Sequence, residues 1–186
     1  MTVELIKPSL ETLPRYAAAL ERDWSPDNIR GIVTTKEHLR KIENDPAAFV
    51  DGLDDPLALG GPITLPDGSR MPRLPGFVRW VWDGDFAGSI GFRWQPGTSE
   101  LPSYVLGHVG YAIVPWKAGR GYATRALALL LPMARERGLA YLELTTEPEN
   151  VASQRVILSN GGRLLGRFPK ATSYGGADSL RFRIDL

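Results

Sequence analysis

The 186-residue sequence contains no cysteine. Disulfides, thiolate nucleophiles and cysteine-based zinc sites are excluded together, and the absence fits a reducing compartment, so a cytoplasmic protein is expected. Histidine is nearly missing too. His38 and His108 are the only two, too few for a clustered imidazole site, and no metal is expected. Net charge is close to zero, 22 Lys+Arg against 21 Asp+Glu giving +1, which leaves no field that would attract nucleic acid or an anionic membrane. The longest apolar run, residues 126–134, includes Pro132 and is under half the roughly 20 residues that a bilayer requires. The first ten residues carry Glu4 and Lys7 where a signal peptide needs an apolar stretch. A soluble chain without nucleic-acid or membrane partners is expected.

What remains is a 43% hydrophobic chain, enough for one domain over residues 1–186 with a proper core. Val3–Ile6 reads as a short strand stopped by Pro8. Leu13, Tyr16, Ala17, Leu20 and Trp24 then recur at helical spacing. Thr34-Thr35-Lys36-Glu37 has capping-box form and predicts a second helix from Thr34, ended by Asn44-Asp45-Pro46. Residues 56–76 hold five prolines and four glycines, which excludes a regular helix or central strand and leaves a lid, an arm or a surface loop. Asp54-Asp55 beside Pro56 reads as turn chemistry. Two aromatic-rich runs, Phe77–Trp82 and Phe86–Trp94, flank Asp83-Gly84-Asp85 and predict a hairpin. Their tryptophans read as sheet packing.

Beyond residue 105 the pattern alternates. It predicts a strand over 106–114, a helix over about 120–137 kinked or shortened at Pro132, a strand over 141–145, a helix over about 150–160 and short closing strands near 163–165 and 180–184. The fold class expected is α/β (α+β), one largely antiparallel mixed sheet flanked by helices.

The informative stretch is the strand-to-helix junction Val114-Pro115-Trp116-Lys117-Ala118-Gly119-Arg120-Gly121-Tyr122-Ala123-Thr124. Gly119 and Gly121 let a ligand approach the main chain. The first N–H groups of the helix lack intrahelical partners and sit at its positive end. Such a turn seats a diphosphate, with Arg120 and Lys117 available to add charge. A dinucleotide fold would use Gly-x-Gly-x-x-Gly and an acid about 20 positions later. Glu143 meets the second condition, but Thr124 replaces the third glycine and the upstream half reads as hairpins. No serine-hydrolase elbow or nucleotide P-loop is present.

Strand, Val114-Pro115, Gly119-x-Gly121-x-Ala123 and a long helix together resemble the acetyl-CoA-binding signature of the GNAT N-acetyltransferase superfamily. Asn150-Val151-Ala152-Ser153, running on to Asn160-Gly161-Gly162, resembles its second motif. The likeness is carried by residues 106–165, the expected cofactor-binding core, and Gly107-His108-Val109-Gly110-Tyr111 looks like a bacterial subgroup with unassigned substrates. The resemblance implies acetyl-CoA as cosubstrate and a small-molecule or peptide amine as acceptor; a homodimer is left open. It implies main-chain contacts to the cofactor arm from Tyr111, Ala112 and Ile113, a diphosphate seat on the N–H groups of Gly119, Arg120, Gly121, Tyr122, Ala123 and Thr124, a cofactor hydrogen bond from Asn150, and Ser153 facing the thioester sulfur.

Three positions depart from the family pattern. Ala118 stands where Arg or Gln is usual, Ile157 where many members carry a tyrosine acid, and Thr145 where some carry a glutamate. Direct transfer needs a neutral amine, whose free pKa is about 10.4. On the implied geometry His108 is the leading base, with Glu143 and Glu147 as alternatives and Ser153 as the acid. A packed histidine, a sheet salt bridge, a helix-surface hydroxyl and a water chain are the competing readings. Without cysteine, an acetyl-cysteine route is excluded. A non-catalytic acyl-CoA sensor is the alternative that the missing tyrosine and glutamate favour.

Overall fold

The computed structural model describes residues 2–186. Its first sheet takes β1 (Glu4–Ile6), β5 (Gly76–Trp82), β6 (Phe86–Arg93) and β7 (Val109–Ile113) in that order, all antiparallel, with β2 (Asp54–Asp55) also pairing along β5. The second sheet orders β8 (Tyr141–Thr146), β10 (Asp178–Asp185) and β9 (Arg163–Pro169), again antiparallel. A small β3 (Ile63–Thr64) and β4 (Arg70–Met71) hairpin stands apart. The mixed α+β class is therefore as expected, but the sheet is split in two.

The split has a local cause. The His108 N–H donates to the Glu143 carbonyl at 2.8 Å, and a side chain on Gly107 would stand 3.0 Å from that same oxygen. Glycine allows the strands to touch there. Beyond this point β7 bonds only β6 and β8 only β10, so the two strands diverge.

Helix α4 (Tyr122–Glu136) fills one side of the first sheet with Ala126, Leu127, Leu130 and Ala134, all fully buried against Ile90, Phe92 and Leu142. It runs through Pro132 without ending there. Helix α1 (Leu13–Leu20) covers the other side, where Tyr16 stacks on Trp80 with centroids 5.0 Å apart. The expected sheet-packing role of Trp80 and Trp94 holds, the latter stacked on Phe92.

Several boundaries move. Helix α2 (Ile32–Asn44) begins two residues before the predicted capping box, with Gly31 at its N-cap and no side-chain cap. The threonine hydroxyls go elsewhere: Thr34 donates to the Asp27 carboxylate at 3.1 Å and Thr35 to the Trp24 carbonyl at 2.9 Å. Pro46 opens rather than only ends a helix, α3 (Pro46–Asp51), with Asp45 accepting from the Ala48 N–H, because proline suits the first helical position. Asp54 and Asp55 both belong to strand β2; Asp54 pairs with Lys7 at 2.7 Å, and Asp55 also serves the turn that follows, accepting from the Leu59 and Gly60 N–H groups. The strand expected from 106 begins at Val109. Among the described residues no helix is long and apolar enough to cross a membrane.

Candidate active site

A cleft of about 1110 Å³ opens where β7 and β8 part and runs from the start of α4 to the α1–α2 loop. The register explains what faces it. In β7 the even-numbered residues bond β6: the Arg93 N–H donates to the His108 carbonyl, and the Val114 N–H to the Ala87 carbonyl. Alternation in an antiparallel pair then turns the main-chain groups of Tyr111 and Ile113 away from β6, toward the gap. Consistent with this, the Asn28 side chain donates to the Tyr111 carbonyl at 3.0 Å. The same parity in β8 turns Thr145 outward, since Glu143 bonds across to His108. Thr146, which lines the cleft, adds a buried hydroxyl that has no partner among the described residues.

At the end of β7 the chain makes a 3-10 turn over Pro115–Lys117 and enters α4 through Gly119 and Gly121, with φ +75° and +80°. These left-handed conformations suit glycine, and nothing stands within 4 Å of where a Cβ would be. Helix α4 has no side-chain cap. Among the described residues the N–H groups of Gly119, Arg120, Gly121, Ala123 and Thr124 meet no acceptor. Five open donors at a positive helix end form an anion seat. Open space over the glycines and these donors fit a coenzyme diphosphate. The Tyr122 side chain serves the fold instead, its hydroxyl donating to Asp83.

Lys117 does not supply the charge that Ala118 lacks. Its ammonium is held by Asp83 at 2.7 Å, with only 13% of the side chain exposed, and so pins the turn to the β5–β6 hairpin. The Arg120 side chain is exposed and outside the cleft wall, whereas Arg155, which carries no sequence signal, lines it.

Helix α5 (Val151–Ser159) begins on the far wall. Asn150 caps it, its Oδ1 accepting from the Ser153 N–H at 3.0 Å. Asn150 lines the cleft, and among the described residues its amide nitrogen has no hydrogen-bond partner, so cap and ligand donor are compatible. Ser153 Oγ lies 2.8 Å from the Tyr111 hydroxyl. Burial pushes the Tyr111 phenol above its ordinary value. The pattern that placed Tyr111 on a strand gave no hint of this contact, which joins residues 42 positions apart.

The three candidate bases fall differently. His108 is fully buried and does not line the cleft; its Nδ1 accepts from the Glu143 N–H at 2.9 Å, and the Ser99 backbone stands beside the ring. It fastens β7 to β8. Glu143 is also outside the cleft, paired with Arg183 at 2.7 Å on β10. Glu147 lines the cleft but is bound to Lys170, which holds its carboxyl below the usual range. His38, passed over in the sequence, lines the acceptor side, with Nδ1 2.7 Å from the Tyr16 hydroxyl and burial pushing it down to about 4. The segment 56–76 is a wall: Thr64, Leu65 and Pro66 border the cleft, Leu65 being buried. Among the described residues no group of three or more metal-binding side chains forms.

Burial pushes the His108 imidazole down to about 4. The unfolded chain, titrating near 6.5, binds the proton first, so folding stability declines as pH falls from about 6.5 toward 4, by about 3 kcal/mol for the whole shift. His108→Asn, whose Oδ1 can accept the Glu143 N–H, is expected to remove about half of the histidine-linked decline in denaturant titrations at pH 4–7, since His38, also pushed down to about 4 by burial, contributes with the same sign. Turnover near pH 8 should stay within about threefold; a hundredfold loss would return His108 to the chemistry.

A sequence model of the acetyltransferase (GNAT) domain matches residues 68–163. No curated protein matches the chain by sequence. Among solved structures, the RimL ribosomal L7/L12 alpha-N-protein acetyltransferase in complex with coenzyme A is 15% identical, with TM-score 0.63 over 100% of this chain and 95% of that one. A GNAT-family acetyltransferase from Bacillus anthracis is 18% identical, also at 0.63, over 100% and 95%. Mycobacterium smegmatis RimJ in complex with CoA-disulfide is 20% identical at 0.63, over 99% and 82%. These likenesses are of fold.

Proposed function

Because the chain belongs to the GNAT acetyltransferase family, we propose that it transfers the acetyl group of acetyl-CoA directly to a primary amine in a ternary complex. The observation that carries this reading is a pair of main-chain features on one cleft: the groups of Tyr111 and Ile113 that face away from β6 between the parted strands, and the five open N–H groups of residues 119–124 after them. A diphosphate on that turn puts the rest of an extended cofactor along β7.

Acetyl-CoA supplies the activated acyl group as a thioester. In the transfer the amine nitrogen bonds the acetyl carbon, the carbon–sulfur bond breaks, the amine loses a proton and sulfur gains one. The Ile113 N–H donates to the carbonyl oxygen as negative charge builds there. Tyr111 and Ser153 form the proton source for sulfur: burial keeps the phenol protonated at neutral pH, and the serine hydroxyl touches it. This pair fills the role left open by Ile157, which lessens the case for a non-catalytic sensor. The amine proton leaves to solvent, since His38 and Glu147 hold protons too weakly at neutral pH to favour a side-chain route.

Release of CoA thiol from acetyl-CoA in the presence of primary amines tests the reading. Turnover is expected, with kcat/KM rising with pH toward the amine's own pKa and showing no inflection between pH 5 and 7. Tight acetyl-CoA binding without transfer to any amine or peptide would favour the sensor.

A further inference from the structure

Among the described residues, the acceptor side of the cleft carries one cation, Arg93, whose side chain has no ion pair or hydrogen bond. Arg93, the last residue of β6, lies on the same face as Ser89 and Gly91, opposite the core-facing Ile90 and Phe92. Its guanidinium lies over β7: a Cβ added to Gly110 would stand 3.5 Å from one Nη. No described residue forms an ion pair or hydrogen bond with it.

The polar groups around it are already committed. Asp27, on the α1–α2 loop, accepts from the Ile29 and Arg30 N–H groups and from the Thr34 hydroxyl. Tyr174, facing from the β9–β10 connection, gives its hydroxyl proton to the Tyr104 carbonyl. Yet Arg93 keeps exposed surface, opening into the cleft it lines. Enclosure by the walls disfavours its charged form, lowering its pKa from the ordinary value. An arginine that stays charged, walled in but wetted, with five donors and no acceptor, is matched by a planar anion from outside.

The floor between this cation and the transfer point is bare. Gly91 pairs with Gly110, and Ser89 with Ala112, so no bulky side chain rises from these two strands. Along β7 the three residue steps from Gly110 to Ile113 span about 10 Å. Allowing about 3 Å for a guanidinium–carboxylate contact, an anion on Arg93 and an amine at the acetyl carbon sit a few bonds apart in one small molecule or peptide end.

We propose that Arg93 selects the acceptor: the substrate is an amino carboxylate, a primary amine carrying a carboxylate a few bonds away, which Arg93 binds through two parallel N–H···O contacts. The proposal rests on the acetyltransferase reading above and specifies its substrate class. Arg93 is a specificity-determining residue; it takes no part in bond making. The carboxylate can belong to a free amino acid or to an acidic side chain near the end of a peptide.

The experiment measures kcat and KM for CoA-thiol release with glycine, β-alanine and 4-aminobutyrate, each against its carboxamide, and with an N-terminally free dipeptide amide bearing Asp or Asn second. Calorimetric binding of acetyl-CoA is followed on the same samples. Wild type is expected to favour the carboxylate member of at least one pair by roughly ten- to thirtyfold, chiefly in KM. The amino acids and dipeptides tell the two sources apart. Arg93→Gln should erase that preference while leaving carboxamide turnover and acetyl-CoA affinity unchanged, and Arg93→Lys should restore part of it. Equal use of carboxylates and carboxamides, a preference that survives Arg93→Gln, or acetyl-CoA binding with no carboxylate-bearing amine accepted would each overturn the proposal while leaving cofactor binding intact. Failure of wild type to bind acetyl-CoA would instead remove the acetyltransferase reading on which it rests.

Discussion

Gly121→Glu is expected to weaken acetyl-CoA binding by roughly 10²–10³-fold. Gly121 stands at φ +80°, lines the cleft and has open space where a side chain would begin. A carboxylate there would lie beside the diphosphate that the neighbouring N–H groups hold. Two like charges about 4 Å apart at an effective dielectric near 20 repel by about 4 kcal/mol. Strain contributes separately, because a left-handed residue with a Cβ costs about 1–2 kcal/mol. Gly121→Ala carries that strain without the charge. Both variants should melt a few degrees lower, as expected for a destabilisation of this size in a chain of this length, yet only the glutamate should weaken binding to that extent. Equal loss of affinity in both would mean that turn geometry, not charge, decides. Unchanged affinity in Gly121→Glu would remove the turn from the site.

Tyr111→Phe is expected to lower kcat by about 10²-fold with acetyl-CoA affinity within threefold of wild type. A positioned proton donor is typically worth 10²–10⁴ in rate, and the lower end applies because a thiolate leaves readily, its pKa being about 8.5. For the same reason the defect should shrink as pH rises past that value, when sulfur no longer needs the proton. Ser153→Ala should produce a smaller defect of the same pH dependence, and the double variant should be no slower than Tyr111→Phe alone, since the two hydroxyls touch and act as a unit. Stopped-flow or steady-state thiol release across pH 7–10 decides it. A Tyr111→Phe defect that appears in acetyl-CoA KM, or that ignores pH, would make the hydroxyl a packing contact only.

The sequence made legible those parts of the site that local backbone rules dictate. Gly119 and Gly121 announce a left-handed turn, and Asn150 three residues before Ser153 announces a helix start; both motifs stand where the residue types demanded. The split between the sheets was only half legible. Gly107-His108 suggested a functional strand, but its work is a cross-chain fastening to Glu143, 35 residues on, and no spacing rule reports such a partner. Lys117 was misassigned for the same reason, since Asp83 lies 34 residues away. Glu143 fitted the acid position of a dinucleotide fold, or a base, until Arg183 from the last strand was brought beside it. The Tyr111–Ser153 contact and the unpartnered Arg93 were invisible, because alternation in a strand fixes which face a residue takes but not what stands across the gap.

The central claim is that the main chain of residues 119–124 grips the coenzyme. Backbone amide resonances, recorded while acetyl-CoA is titrated into the protein, test it most directly. The account predicts saturable shifts concentrated at Gly119, Arg120, Gly121, Ala123 and Thr124, reproduced by CoA and not by NAD. Saturable binding that leaves those amides unmoved, or equal shifts with NAD, would contradict it.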